Sequence, residues 1–303
     1  MKSNSNQSRK EFIRNLSLVI GASALPGSFV SACSSSAVPG SKMKLGLVTY
    51  NWAKDWDIPT IIKNCTETEI PGVELRVNHA HGVNFDMTAA QRAKVRKQFD
   101  DSPVEIVGMG TNEDFHSPDP AVVKQNIENT RKWLELSKDI GGSGVKVKPN
   151  AFPDGVPKEK TIEQIGKSFN EIGKMAMDMG QQIRVEVHGK ETQKLPNIDA
   201  MMDYVENEGT KVCWNCNSQD LEGQGLEYNF NLVKDDFSDT AHVREFNVGD
   251  YPYQQLMDLF VQMDYDGWIL MENRTQPDDI VAGMHEQREI WKEMIANAQA
   301  KLK

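Results

Sequence analysis

Apolar and polar residues alternate along eight short segments of this chain, a pattern typical of β-strands whose two faces meet different surroundings. In residues 183–188 every second side chain is aliphatic, whereas Arg184, Glu186 and His188 share the opposite face. The alternation predicts strands at residues 45–50, 73–77, 104–109, 145–148, 183–188, 212–217, 242–247 and 268–272.

Helical periodicity occupies the intervals between these strands. Segments long enough for helices lie at residues 120–139, 158–179, 253–263 and 285–298. Strand and helix alternating eight times predict an α/β fold, a single-domain (β/α)8 TIM barrel over residues 44–303. Active sites of such barrels form at the C-terminal ends of the strands, where the polar residues of this chain lie.

The predicted barrel interior is polar. Glu74 and Arg76 face inward on the second strand, and Lys146 and Lys148 do so on the fourth. A barrel filled for stability alone would carry Val, Ile and Leu there. A buried carboxylate costs several kcal/mol unless it is paired, hydrogen-bonded or bound to a metal. Singly, each residue has a structural explanation, such as a Glu74–Arg76 ion pair, but together they predict a functional mouth that a divalent metal would complete.

The charge of the chain limits its partners. Its 303 residues carry a formal net charge of −10, and residues 1–33 hold four basic residues and one acid, so the remainder stands at −13. Nucleic-acid binding requires a basic surface, which this composition does not provide. We therefore expect no nucleic-acid partner, and we disfavour a DNA repair endonuclease built on the same barrel.

The first 33 residues have the pattern of an export signal. Basic residues precede a mostly apolar run over residues 16–30, and the segment ends on Val30-Ser31-Ala32-Cys33, as lipoprotein signals do. Lys10 stands where a twin-arginine signal has its second arginine, which leaves the export route open. We expect cleavage before Cys33 and lipid on its thiol, with residues 34–43 as a tether; a plain signal with an incidental cysteine is the alternative.

This segment also predicts where the protein resides. The lipid on Cys33 would be its contact with a membrane, in the cell envelope. No acidic residue occurs in residues 34–39, which favours an anchor facing the periplasm over one on the cell surface.

Three motifs at the predicted strand ends carry a family resemblance. Glu186-Val187-His188, His242-Val243-Arg244-Glu245 and Gly267-Trp268-Ile269-Leu270-Met271-Glu272 occur in this order. Together they resemble the xylose isomerase-like sugar isomerase/epimerase superfamily, over essentially residues 44–303. In that family one metal is held by Glu, Asp, His and Glu from strands five to eight. The resemblance implies Glu186, His242 and Glu272 as ligands of one divalent metal ion.

Strand six departs from the family pattern. The residue that we place at the position of the family's Asp is Asn217, with Asp220 three residues later; Asn215 is the second choice. An amide oxygen still binds oxygen-preferring cations, but it removes one negative charge from the site. Mn, Mg, Co and Zn all remain open.

The resemblance implies metal-assisted proton transfer next to the carbonyl of a keto sugar or polyol, with Glu186 and Glu272 as the catalytic residues. The residues that we expect to bind the substrate are Glu74, Arg76, His81, Lys148, His188, Asp220 and Arg244. Gly141-Gly142-Ser143-Gly144 lacks the spacing of a phosphate-binding loop, so a sugar phosphate is not required.

Two alternatives stay open beside this isomerase or epimerase. One is a lyase or hydratase acting on oxidised sugars such as 3-keto-sugars, since an enolate can expel or regain an oxygen at the next carbon. The other is a non-catalytic carbohydrate-binding lipoprotein, which the Asn at strand six favours. We expect a small-molecule sugar as the partner in each case and leave a homo-oligomer open.

Overall fold

The structure is a computed structural model and describes residues 38–40 and 42–302. The predicted export signal, its Cys33 and the first part of the predicted tether lie outside the described residues. In the described part, no helix is both long enough and apolar enough to cross a membrane.

The described strands close into one parallel barrel in chain order, which confirms the predicted (β/α)8 TIM barrel. They are β1 (Lys44–Val48), β2 (Gly72–Arg76), β3 (Glu105–Asp114), β4 (Gly144–Lys148), β5 (Gln182–Glu186), β6 (Thr210–Asn215), β7 (Phe237–Val243) and β8 (Trp268–Met271). β1 pairs with β8 as well as with β2, so the sheet has no free edge.

The helices alternate with the strands. They are α1 (Ile58–Glu67), α2 (Ala89–Asp100), α3 (Pro120–Ile140), α4 (Lys158–Met179), α5 (Leu195–Met202), α6 (Leu226–Val233), α7 (Tyr253–Gln262) and α8 (Ile280–Ala300). Local signals explain several ends: Thr88 and Gln91 form a capping box at the start of α2, and Gly141 ends α3 in the left-handed conformation with φ 97°.

β7 differs most from its prediction, which began at residue 242 instead of Phe237. Its first half carries polar residues that hide the strand pattern. The Ser238 hydroxyl donates to the carbonyl of Thr240, and Asp239, whose side chain is partly exposed, pairs with the buried Arg184. His242 therefore lies near the end of the strand and not at its beginning, which brings it to the mouth.

The lower barrel is filled by an apolar plug and one ion pair, so the prediction of a mainly polar interior holds for the upper part only. Val48, Val107, Trp268 and Leu270 form a buried cluster separate from the outer core. A Cβ on Gly72 would lie 2.2 Å from the Trp268 ring, so glycine makes room for the indole. This filling supports the polar residues from below.

Arg184 completes this lower layer. Its side chain is fully buried and donates to Asp239, to Ser143 Oγ and to the carbonyl of Val107, at 2.8, 2.6 and 3.0 Å. Cβ atoms on Gly108 or Gly144 would lie within 3 Å of the guanidinium, so these strands need glycine there. The inward arginine of β5 is thus structural, although its motif neighbours Glu186 and His188 lie above it.

Candidate active site

Three buried side chains converge at the C-terminal end of the barrel. Glu186 ends β5, His242 lies one residue before the end of β7, and Glu272 directly follows β8. Each offers one ligand atom, and these atoms all lie within 4.8 Å of one another. This group could hold a metal ion, since carboxylate and imidazole ligands suit several divalent cations.

The imidazole of His242 is oriented by Glu74 on β2. Its Nε2 lies 3.3 Å from Glu74 Oε2, while its Nδ1 points toward Glu186 Oε1 at 3.9 Å and has no hydrogen-bond partner in the described structure. Burial favours the neutral ring, but Cys213 and Glu74 favour the imidazolium and raise the pKa of His242. Glu74, which we expect to bind substrate, contacts His242 and orients its ring.

Glu186 is held as a carboxylate by its neighbours. Lys146 Nζ donates to Oε2 at 2.5 Å and Asn215 Nδ2 donates to Oε1 at 2.9 Å. Burial alone would raise the pKa of Glu186, but the positive charges of Lys146 and His242 outweigh burial and hold it well below its usual range. Both oxygens therefore face donors and carry negative charge.

Glu272 has the opposite tendency. Burial and the nearby Glu186 charge raise its pKa, and Arg76 Nη1 offsets this in part from 3.6 Å. Arg76 is itself held by Asn112 Oδ1 at 3.2 Å and lies over the ring of Tyr50. Two neighbouring carboxyl groups whose environments push their pKa values apart can act as an acid and a base.

At strand six the geometry favours Asn215, the second choice, over Asn217. Asn215 is buried at the end of β6 and contacts Glu186. The Asn217 amide turns away, because its Nδ2 donates to the carbonyls of Val187 and Asn215 and its Oδ1 accepts from Arg244 at 3.4 Å. The residue expected to bind the metal therefore links the ends of β5 and β7.

Two other residues that we expect to bind substrate are hydrogen-bonded within the loops of the mouth. His81 has both ring nitrogens occupied, at 2.8 Å from the Arg76 carbonyl and 3.1 Å from the Val83 amide, and burial lowers its pKa to about 4. Asp220 Oδ2 accepts from the Asn217 amide and from the Tyr251 hydroxyl. The sequence pattern does not reveal these local hydrogen bonds of His81 and Asp220.

Lys148, His188 and Arg244 remain half-buried at the ends of β4, β5 and β7, where a bound molecule could meet them. Burial lowers the pKa of Lys148 and of His188. Sequence reasoning did not assign a role to Lys146, although its inward position on β4 signalled one. It also missed Asn112 and Tyr50, which lie in loops or at strand ends without a motif.

The fold and this group define a (β/α)8 barrel with a buried Glu/His/Glu cluster at its mouth. The chain belongs to the xylose isomerase-like TIM barrel family, whose model matches residues 62–297. No curated protein matches it in sequence.

Solved structures share the fold. An L-ribulose 3-epimerase superposes with a TM-score of 0.74 at 12% identity, over 86% of this chain and 97% of that one. A 3-keto-D-glucoside 4-epimerase from E. coli gives 0.69 at 12% identity, over 83% and 100%. A D-allulose 3-epimerase from Methylomonas sp., in complex with D-allulose, gives 0.70 at 15% identity, over 85% and 99%. At such low sequence identity, these similarities show a shared fold.

The buried Asp220 predicts a pH-dependent stability. Burial raises its pKa from 3.8 to about 7, so the folded state binds this proton more tightly than the unfolded state. Its contribution is full below about pH 4 and is lost as pH rises toward 7. Between about pH 5 and about pH 7.5, Asp220→Asn should gain roughly 1–3 kcal/mol in free energy of unfolding relative to the parent, measured by urea denaturation.

The matched control is Asp154→Asn, which removes an exposed carboxylate outside the site. Its difference from the parent should stay constant over the same pH range. A constant difference for Asp220→Asn as well would show that Asp220 is ionised in the folded protein throughout.

Proposed function

We propose that this protein is a metal-dependent sugar epimerase or isomerase that moves a proton next to the carbonyl of a keto sugar. The observation that carries the proposal is the pair Glu186 and Glu272, buried side by side with opposite pKa shifts. Proton exchange at a carbon needs a base that removes the proton and an acid that returns one. Simple binding would not need two such carboxyl groups.

The donor set fits a divalent metal. His242 Nδ1 is buried without a hydrogen-bond partner and faces the carboxylate of Glu186, while Glu74 holds the opposite nitrogen. A carboxylate behind a ligating histidine is the usual outer support of such sites. Glu186, His242 and Glu272 would hold the ion, and Asn215 is the strand-six residue near enough to Glu186 to join them.

A bound divalent ion would polarise the substrate carbonyl and its neighbouring hydroxyl. The side chains of the protein would do the rest. Glu186, kept anionic by Lys146, would take the proton from the carbon next to the carbonyl. Glu272, whose raised pKa favours the acid form, would return a proton to the other face, and Arg76 would hold Glu272 in place. The reaction inverts the configuration at this carbon and leaves its number of hydrogen atoms unchanged.

The named activities of the similar structures support this choice without deciding it. They act on ribulose, allulose and a keto-glucoside, and they are epimerases. Extending epimerisation to this chain rests on the two glutamates, since the likeness itself concerns the fold.

An elimination remains the second candidate, because Glu272 favours its protonated form. After Glu186 removes the proton, Glu272 could protonate a leaving oxygen at the next carbon, and the C–O bond would break with release of water or an alcohol. The amides at positions 215 and 217 favour a third candidate, a carbohydrate binder without turnover.

We also propose that the protein is exported and carries lipid on Cys33. The first described residues are held against the barrel by two hydrogen bonds. Gly40 donates to Asp264 before β8, and Gln299 near the end of α8 donates to the Pro39 carbonyl.

Metal binding gives the first test. The purified protein should bind Mn²⁺ or Co²⁺ near one equivalent per chain in calorimetry and elemental analysis. His242→Ala should weaken binding by at least about tenfold, since ligand-shell losses typically cost that much or more. His285→Ala, on α8 outside the site, is the matched control and should bind like the parent. If His242→Ala binds the metal as tightly as His285→Ala, the ion is bound at a site that does not include His242.

Proton exchange tests the chemistry. The metal-loaded protein should exchange deuterium from D₂O into keto sugars next to the carbonyl, as followed by NMR. Glu272→Gln keeps the shape of the side chain but cannot transfer the proton, so the rate should fall by at least about a hundredfold. The exposed Glu171→Gln is the control. If the parent exchanges no sugar while Glu186→Gln and Glu272→Gln bind sugars as tightly as the parent, the binder replaces the enzyme.

The anchor has its own test. The full chain, expressed in a Gram-negative host, should sediment with membranes and take up labelled palmitate. Cys33→Ala should take up no label and leave the membrane fraction, because a lipid-linked protein loses its anchor with the thiol. Cys65→Ala, a buried cysteine in α1, controls for loss of a thiol. Labelling that survives Cys33→Ala would contradict the lipoprotein assignment.

A further inference from the structure

The buried carboxylates at the mouth are each matched by a cation. Glu74 faces His242 at 3.3 Å and Glu186 faces Lys146 at 2.5 Å. Glu272 faces Arg76 at 3.6 Å. A divalent metal bound by Glu186, His242 and Glu272 would add positive charge to the same mouth.

Two more cations reach the same rim without an acidic partner. Lys148 Nζ contacts only the amide oxygen of Asn112, at 3.4 Å, among the hydrogen bonds and ion pairs of the described residues. Arg244 Nη2 donates to Asn217 Oδ1 at 3.4 Å, and its Nε is buried without a hydrogen-bond partner in the described structure. Neither forms an ion pair within 4.0 Å in that part of the chain.

These two cations flank a continuous arc of the rim. Lys148 ends β4, His188 lies two residues beyond the end of β5, Asn217 two beyond β6, and Arg244 directly after β7. Asn217 ties the arc together by donating to the Val187 carbonyl and accepting from Arg244. His188 Nδ1, between them, is also buried without a partner in the described structure.

The acids nearest to Arg244 are already engaged. Asp220 accepts from Tyr251 and the Asn217 amide, and burial raises its pKa to about 7, which weakens its negative charge near neutral pH. Glu245 accepts from the backbone amides of Arg274 and Thr275. Asp114, the neighbour of Lys148 on β3, accepts from Asn150 at 2.9 Å and lies 3.2 Å from His116. The arc therefore presents two cations that form no ion pair within 4.0 Å among the described residues, in a chain whose overall charge is −10.

A half-buried cation without an anionic partner has lost part of its hydration, and an anion offsets that loss more fully than a neutral hydroxyl group does. Burial, followed by the repulsion of Lys146, lowers the pKa of Lys148, and an anion placed beside it would offset both effects. Arg presents a planar fork that suits carboxylate and phosphate oxygens, whereas Lys supplies a point charge. The combination is suited to an oxyanion.

We propose that the substrate is an acidic sugar, whose carboxylate or phosphate binds above His188 between Lys148 and Arg244. This inference rests on the proposed function, since it places the reacting carbonyl at Glu186 and Glu272. The charged group lies on the β4–β7 side of the mouth and the Arg76–Glu272 pair lies on the β2–β8 side. The arc would thus fix which end of the sugar enters the site.

The test compares sugars that differ at one carbon. D-fructose, D-fructuronate and D-fructose 6-phosphate carry a hydroxymethyl, a carboxylate and a phosphate ester at carbon 6, and the tagatose series repeats the comparison with another configuration. Deuterium exchange by the metal-loaded protein should show kcat/KM at least about tenfold higher for an acidic member than for its neutral counterpart. The KM of the acidic sugar should rise with ionic strength, whereas the KM of the neutral sugar should not.

Variants assign the preference to the arc. Lys148→Met and Arg244→Met should each reduce the ratio of acidic to neutral kcat/KM by about tenfold, mainly through the KM of the acid. Lys190→Met removes an exposed cation from the loop after β5 and should leave the ratio unchanged. Preference for the carboxylate or for the phosphate within the series identifies the oxyanion.

The failures are distinguishable. If neutral sugars exchange as fast as acidic ones, the proposal of an acidic substrate is wrong and the epimerase proposal is retained. The same holds if the preference for an acid persists in both variants. If no sugar of the series exchanges deuterium, the proposed epimerase activity is wrong. Calorimetry with the same sugars then tests whether the site prefers a negatively charged group. Tighter binding of an acid that both variants weaken retains the oxyanion site, and equal or absent binding overturns it.

Discussion

The site depends on keeping three glutamates ionisable inside a barrel from which water is largely excluded. A buried carboxylate without a partner would cost several kcal/mol, so each of these acids has its own cation. Lys146 serves Glu186, His242 serves Glu74, and Arg76 serves Glu272. Because the cations come from strands other than those of the acids, the closed barrel is what brings each pair together.

The lower half of the barrel makes this arrangement possible. Trp268 and Leu270 fill the centre where Gly46 and Gly72 leave space, and Arg184 occupies the space beside Gly108 and Gly144. Trp268, Leu270 and Arg184 are buried, so this layer packs beneath the polar side chains of the mouth. The glycines of the inner strands therefore support the site although none of them takes part in it.

The fold could be predicted from the sequence because alternation and helical periodicity are local, and both repeat eight times. The mouth could be predicted only in part, since strand motifs show which residues face inward but not which of them meet. Asn215 and Asn217 share a strand face in the alternation, yet a turn after β6 sends the second amide to the backbone of Val187. His81 is likewise hydrogen-bonded to the Arg76 carbonyl and the Val83 amide. Sequence periodicity does not predict such contacts.

The amide at strand six is best understood through Glu186. Asn215 donates an N–H to this carboxylate at 2.9 Å, which an aspartate in its place could not do. An aspartate would instead add a fourth negative charge beside Glu186, where Lys146 already supplies the neutralising cation at 2.5 Å. Asn215 and Lys146 thus have the same role toward Glu186, since both donate to its carboxylate, and the amide oxygen of Asn215 remains a group that a divalent ion accepts. The amide at strand six therefore stabilises the ionised form of Glu186, and the group that could hold a metal keeps two carboxylates, Glu186 and Glu272.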